Sequence, residues 1–418
     1  MARTFHVHIF AIVLAASTQA CGDPPAGPMA GFTNLASSSA RVTSSCSGDR
    51  PGAGANCGSN ADEDCCASLP VPETSFHRYN SPAHPAHVSA FSLDKFEITV
   101  GRMRAFVTSV DGNVRGHPPA EGAGEHPRIP GSGWRSEWND MLPTDMADVN
   151  ELLGPGCVAG GDPNEGGAPT WRTTPSENDK KPANCASWFL LFAFCIWDGG
   201  RLPTEAEFQA AALGGSEQRT NAWADSVLGG NALAYENGEK LVAAFLSPEG
   251  AGPGAFGMYT VGTPMRDVDP TTHMADDGDA HIAQVGVHPA GNGRWGHADL
   301  NGNLYELVLD ESRPVDVTTG LPAGDVCNDC ANVDWPKLTE TDPAIVPFTV
   351  DDGADPVVVA DIASWSKYYV GGARIIHGGS WSHAGSITND QSHQNVVRFK
   401  YPVMRTYEAV GARCARDL

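Results

Sequence analysis

A continuous apolar run, a short polar loop and a second apolar stretch dominate the middle of the chain. Residues 188–197 are apolar on every face, which is typical of a buried helix and too short to span a bilayer. The glycines at 199–200 end this helix, because glycine accepts the left-handed conformation of helix C-termini. Thr204 and Glu207 form the capping-box pattern of a second helix, which the glycines at 214–215 end. The pattern predicts helix, tight loop and helix.

Apolar patterning is weaker on either side of this stretch. Alternating apolar residues between positions 75 and 98 predict strands, and Thr99 is placed to cap a short helix with one apolar face. Residues 111–181 hold many glycines, prolines and charges without a steady period, which predicts a long irregular insertion. Three tryptophans are expected to anchor its loops: Trp134, Trp138 and Trp171. Pattern alone indicates an α+β domain with much loop.

The N-terminus has the features of an export signal. Residues 1–20 contain Arg3, an apolar run and small residues before Cys21, as in a signal peptide. The sequence before Cys21 is an imperfect bacterial lipobox, so cleavage there would leave a lipid on Cys21; ordinary secretion with cleavage nearby is the alternative. Residues 21–70 are rich in small residues and proline and predict a cysteine-containing flexible tether before a domain at 71–418. We expect an outer-membrane or cell-surface lipoprotein, or else a periplasmic or secreted protein.

Composition narrows the range of partners. A chain of 418 residues, 41% of them hydrophobic, can bury a large core. The formal net charge of -23 argues against nucleic acids and anionic lipid surfaces, because both would repel the protein. Membrane contact is therefore expected only through the N-terminal lipid, and the partner is an unidentified protein or small-molecule ligand.

The cysteines predict disulfide bonds. Eleven are present, and setting Cys21 aside leaves an even number, which in an exported protein indicates disulfides. Cys327 and Cys330 lie among aspartates, which disfavour the reactive thiolate, so we interpret them as a local structural disulfide. The sequence does not fix the pairing of six others: Cys46, Cys57, Cys65, Cys66, Cys157 and Cys185.

Four motifs occur in the order found in one known family. RLPTEAEF at 201–208 closely resembles the signature of formylglycine-generating enzymes, also called sulfatase-modifying factors. The other three motifs resemble the family's remaining blocks: FSLDKFEIT at 91–99, VGVHPAGNGRWGHADLNGNLYELVLD at 285–310, and HGGSWS at 377–382 with GARCAR at 411–416. The resemblance implies the family's fold, which is α+β, loop-rich and similar to C-type lectins, with short antiparallel strands and a few helices. It also implies a disulfide between Cys195 and Cys414.

The resemblance further implies structural calcium. In DLNGNLYE, Asp299 and Glu306 would bind the ion through side chains, and Gly302 and Leu304 through backbone carbonyls, all hard oxygen ligands. The alternative is a solvated Asn-Gly turn flanked by charges. A second calcium site would use Asp277 and the carbonyl of Asp279, with further ligands near Asn231.

The family's oxidising chemistry depends on residues that this chain lacks. Family members that make formylglycine hold copper(I) with two cysteines shortly after the GGSW motif. Those positions are His383 and Thr388 here, and no cysteine lies between Cys330 and Cys414, so copper binding is not expected. Tyr305 replaces the tryptophan of the family's oxygen pocket, whereas Ser380 is retained.

Two functions of different class are compatible with these residues. The first is a binding or maturation-assisting scaffold that calcium stabilises and that lacks formylglycine-generating activity. The alternative is an oxidoreductase with a rearranged pocket of Tyr305, Ser380, His383 and Thr388. A metal held by His377, His383 and His393 would serve that second function, although a polar loop rich in Ser, Asn and His is more often only solvated.

Overall fold

The computed structural model describes residues 43–47, 54–159, 162–223, 235–236, 239–240, 282–287, 289–312, 324–335, 372–380, 399–402 and 406–418. All of them belong to one compact unit, Val42–Leu418. The predicted signal peptide, Cys21, Asn231, Asp277, Asp279, His383, Thr388 and His393 lie outside these ranges. None of the helices in the described ranges has both the length and the apolar composition needed to cross a bilayer.

Short elements and long loops make up the described chain, as an α+β fold rich in loops requires. The α-helices are α1 (Val100–Ser109), α2 (Met146–Leu153), α3 (Trp188–Trp197) and α4 (Glu205–Leu213). The strands of the first half are β1 (Ala55–Cys57), β2 (Glu63–Asp64), β3 (Ser68–Val71), β4 (Thr74–His77), β5 (Pro85–Val88), β6 (Phe91–Asp94), β7 (Val158–Ala159) and β8 (Asp162–Gly166). Those of the second half are β9 (Tyr235–Glu236), β10 (Glu239–Lys240), β11 (Tyr305–Glu311), β12 (Cys327–Asn328), β13 (Ala373–His377), β14 (Phe399–Pro402), β15 (Val410–Gly411) and β16 (Ala415–Asp417).

Helices α3 and α4 confirm the prediction made from the central stretch. The Thr204 hydroxyl accepts a hydrogen bond from the Glu207 amide at 3.0 Å, and the Glu207 carboxylate accepts one from the Thr204 amide at 2.8 Å. These two bonds complete the capping box at the start of α4. Gly214 then ends the helix in the left-handed conformation, with φ of 66°.

Strand β11 lies between the two central helices. It pairs antiparallel with β13 and parallel with β15, and all seven of its residues are buried. Tyr305 packs in the cluster that contains α3, whereas Val308 packs in the cluster that contains α4. Because successive side chains of a strand point to opposite faces, β11 contributes to both halves of the core.

The segment before residue 71 differs from the predicted tether. Its described residues fold onto the domain: β3 pairs with β6, and disulfides join Cys46 to Cys66 and Cys57 to Cys65. The Ser45 amide donates to the Asp198 carboxylate at 2.7 Å. Cross-links and polar contacts here replace the apolar burial whose absence suggested a tether, which is the usual strategy of small cysteine-rich modules.

The region 111–181 contains more regular secondary structure than predicted. Its tryptophans Trp134, Trp138 and Trp171 are buried, as expected of loop anchors. Helix α2 was not predicted from the sequence; Asp145 caps it by accepting hydrogen bonds from the amides of Ala147 and Asp148. The antiparallel pair of β7 and β8 was not predicted either, and beside it Cys157 is bonded to Cys185.

Candidate functional site

A buried turn leads into β11 and contains the predicted calcium ligands. Asp299, Gly302 and Asn303 have φ angles of 54°, 106° and 57°, a left-handed conformation that Gly, Asn and Asp tolerate best. The Asp299 carboxylate accepts a hydrogen bond from the Gly286 amide at 2.6 Å. Every residue from 297 to 311 is buried, so the solvated-turn alternative does not describe this structure.

Glu306 and Arg413 form a buried ion pair beside that turn. The guanidinium donates to one Glu306 carboxylate oxygen at 2.6 Å and to the other at 2.7 Å, and both side chains are at most 1% exposed. Arg413 also donates to the backbone carbonyls of Asp94, Lys95 and Ala298. The pair therefore joins β11, the chain after β6, and the start of the turn.

Glu97 completes the group and was not singled out from the sequence. One of its carboxylate oxygens accepts from the Leu304 amide at 3.1 Å, and the other accepts from the Asn303 side-chain amide at 2.8 Å. Complete burial, followed by the nearby Asp299 and Glu306 carboxylates, raises the pKa of Glu97 well above its usual value. The available signal was a carboxylate between the apolar residues Phe96 and Ile98.

The end of β13, where the GGSW motif begins, packs against α4. The His377 imidazole lies 3.0 Å from a Glu205 carboxylate oxygen and stacks on Phe208 at a centroid distance of 5.6 Å. His377 is fully buried, and it lies opposite Glu306 in the pairing of β13 with β11. Gly378 follows with φ of 93°, and a β-carbon there would lie 2.9 Å from the Leu300 carbonyl oxygen. The motif therefore requires glycine at this position.

Two of the four predicted pocket residues lie in the described chain. Ser380 is buried after β13, and Tyr305 is buried in the cluster of α3. His383 and Thr388 fall outside the described residues, so the structure does not place the four side chains relative to one another.

A separate cavity of about 350 Å³ lies beside the capping box of α4. Arg201 binds both Glu207 carboxylate oxygens at 2.7 Å, and the Arg128 guanidinium lies 3.4 Å from the Asp329 carboxylate. Further residues on its wall are Phe91, His126 and Asp417. The wall of this cavity carries both acidic and basic side chains, and they are paired with one another.

Comparison with known proteins identifies the family. The family model described as the sulfatase-modifying factor enzyme 1-like domain matches residues 55–418. The chain belongs to this family. A curated relative, formylglycine-generating enzyme of Streptomyces coelicolor (strain ATCC BAA-471 / A3(2) / M145), is 27% identical over 240 residues, which are 56% of this chain and 62% of the relative. The match therefore spans less than two thirds of that enzyme.

The solved structures that resemble the sulfatase-modifying factor chain have low sequence identity to it. PvdO from Pseudomonas aeruginosa is 16% identical with a TM-score of 0.40, and the match covers 84% of this chain and 94% of PvdO. CarF is 13% identical with a TM-score of 0.40, covering 84% of this chain and 98% of CarF.

The copper site of formylglycine-generating members does not fit the cysteines of this sulfatase-modifying factor chain. Ten of its eleven cysteines form five disulfides: Cys46–Cys66, Cys57–Cys65, Cys157–Cys185, Cys195–Cys414 and Cys327–Cys330. The last two are the pairs expected from the sequence. Copper(I) needs soft thiolate ligands, and a sulfur in a disulfide is not a thiolate.

The carboxylates around the buried turn are oxygen donors of the type that calcium prefers, and both Glu306 oxygens already accept from Arg413. Glu97, Asp299 and Glu306 offer hard oxygens, and each carboxylate oxygen can accept more than one hydrogen bond or metal contact. In the described chain, the group of three potential ligand side chains within 4.8 Å is Cys46, Asp64 and Cys66, two of which share a disulfide. Calcium at the turn would therefore depend on backbone carbonyls as well as side chains.

Proposed function

We propose that this protein is an exported, lipid-anchored member of the sulfatase-modifying factor family without formylglycine-generating activity. It acts as a calcium-stabilised scaffold that binds a partner or assists the maturation of one at the cell surface. Its ligand is a protein or a small molecule, because the net charge of -23 disfavours nucleic acid.

The cysteine pairing is the observation that carries the proposal. Oxidation of a substrate cysteine through copper(I) needs two thiolates in one pocket, and His383 and Thr388 stand at the positions of the family's pair. No distant loop can supply the missing sulfurs, because every cysteine after Cys21 is in a disulfide. Cys21 is a single residue, and a lipid thioether would occupy its sulfur.

Calcium is proposed to hold the turn before β11 in place. Asp299 and Glu306 would bind it through carboxylates, and Gly302 and Leu304 through backbone carbonyls. The role is structural: the ion would offset the repulsion among the carboxylates that meet Glu97, and it would fix the connection between β11 and the segment at 282–287. The second proposed site, at Asp277 and Asp279, rests on the sequence resemblance.

The proposal is tested with the purified mature chain under oxidising conditions. It is incubated with copper(I), oxygen and a sulfatase-type cysteine peptide, and the peptide is then analysed by mass spectrometry for formylglycine. A formylglycine-generating enzyme under identical conditions is the positive control. We expect no conversion with the chain; clear turnover would contradict the proposal.

Metal analysis of the same preparation addresses the oxidoreductase alternative. We expect calcium and no stoichiometric copper or iron. Stoichiometric copper or iron would favour an oxidoreductase with a histidine-based pocket. His377 is a poor ligand for such a pocket, because its buried ring is engaged by Glu205 and Phe208.

A further inference from the structure

A small cross-linked loop packs directly against the chain that supports Asp299. The Cys57–Cys65 disulfide closes a short loop, since the two cysteines have a sequence separation of 8. Both cysteines are 2% exposed and form one apolar cluster with Phe96, Val285 and Ala298. The cluster thus brings together the loop, the residue before Glu97 and the residue before Asp299.

Two backbone hydrogen bonds connect this loop to the Asp299 carboxylate. The Gly58 amide donates to the Val285 carbonyl at 3.2 Å, and the next amide, that of Gly286, donates to the Asp299 carboxylate at 2.6 Å. The fit is close, since a β-carbon on Gly286 would lie 2.2 Å from the Phe96 ring and 3.2 Å from the Gly58 α-carbon. Residues 285–286 are therefore held between the loop and the turn.

We infer that the Cys57–Cys65 loop is a positioning element for Asp299 and sets the affinity of the calcium site. The inference rests on the proposed calcium site and adds residues that lie far from it in sequence. The disulfide fixes Gly58, Gly58 fixes Val285, and the adjoining Gly286 amide fixes the carboxylate. An ion pair between Glu63 of the loop and Lys95 attaches the other side of the loop near the same turn.

The physical basis is the behaviour of residues that hold metal ligands in place. Partners that orient a ligand without touching the metal typically contribute about 10-fold to 100-fold to metal affinity. Without the cross-link, the Gly58–Val285 contact depends on a loop that must be ordered at an entropic cost. The Gly286 amide then orients Asp299 for a smaller fraction of the time.

The test compares two disulfides of the same segment in the full mature chain. Calcium affinity is measured by isothermal titration calorimetry for wild type, for C57A/C65A and for the matched control C46A/C66A. The control removes the bond beside Ser45, whose contacts run to Asp198 and Arg102. We expect C57A/C65A to bind calcium about 10-fold more weakly or worse, and the control to bind as wild type does.

A second variant keeps the test decisive if C57A/C65A does not fold. Val285→Ala leaves the disulfide intact and removes part of the apolar contact with the loop, so its calcium dissociation constant should also rise. Wild-type affinity in folded C57A/C65A or, where that variant does not fold, in Val285→Ala overturns the inference, and so does an equal loss in the control. If wild type itself binds no calcium, the calcium site is wrong, which is distinguishable from failure of the loop alone.

Discussion

Glu306 and Arg413 form a buried, bidentate ion pair that connects the central strand β11 to the segment between β15 and β16. Glu306 is also one of the proposed calcium ligands. The carboxylate therefore contributes to the fold whether or not an ion is bound, and removing it tests two interactions at once.

Glu306→Ala should destabilise the protein both with and without calcium. Truncation leaves the Arg413 charge buried without its carboxylate, which typically costs about 3–5 kcal/mol. Urea unfolding in calcium and in chelator would measure the loss. The double variant E306Q/R413M should lose less than the sum of the single variants, because each single change strands the other partner. An unchanged midpoint for Glu306→Ala would contradict the ion pair.

Asp299→Asn separates calcium binding from folding. The asparagine oxygen can still accept the Gly286 amide, but the formal charge on the ligand is lost. At a calcium concentration of about 100 times the dissociation constant, wild type should gain about 2.7 kcal/mol, and the variant much less. Thermal melts with and without calcium would show this, with exposed Asp140→Asn, outside the turn and the Cys57–Cys65 loop, as the control. Equal gains in wild type and Asp299→Asn would remove Asp299 from the site.

Glu207→Gln should reduce the loss of folding stability that wild type shows as pH falls below 4.5. Burial raises the pKa of Glu207, but Arg201 and His126 outweigh it and hold the pKa well below the usual 4.5. A lowered folded-state pKa gives stability that is complete above pH 4.5 and is lost as pH falls toward the folded pKa. The variant should be less stable at pH 7 and vary less below pH 4.5 in denaturant titrations. A parallel profile for the two proteins would exclude this role.

Loss of the Cys195–Cys414 bond should be the most damaging of the disulfide changes. It joins α3 to the residue before β16 across a sequence separation of 219, for which the chain-entropy model gives about 5 kcal/mol. C195A/C414A should therefore unfold at much lower denaturant concentration than C327A/C330A, whose bond spans three residues. Similar midpoints for the two variants would show that loop closure is not the dominant effect.

The sequence predicted features that depend on neighbouring residues. The capping box of Thr204 and Glu207 and the glycine that ends α4 each depend on residues within about one helical turn. Such local patterns can be recognised in the sequence. The family motifs added the Cys195–Cys414 pair. By contrast, Glu306 and Arg413 are 107 residues apart, and nothing local to either one indicates the other.

The missed features have different physical reasons. Glu97 was overlooked because its significance comes from burial beside two other carboxylates, which only the folded chain brings together. The segment before residue 71 was interpreted as a tether because its composition offers little apolar burial. Four cysteines admit three pairings, and the two bonds that form, together with the contacts of Ser45, order its described residues.

Because the other ten cysteines are paired with one another, Cys21 differs from them chemically. In the oxidised protein it is the one cysteine outside these five disulfides. A maleimide label applied without reductant therefore tests the proposed lipidation: a chain that keeps Cys21 as a free thiol is labelled, whereas a chain acylated at that sulfur or trimmed beyond it is not. Mass spectrometry of the unlabelled product then distinguishes an attached diacylglycerol from a shortened chain.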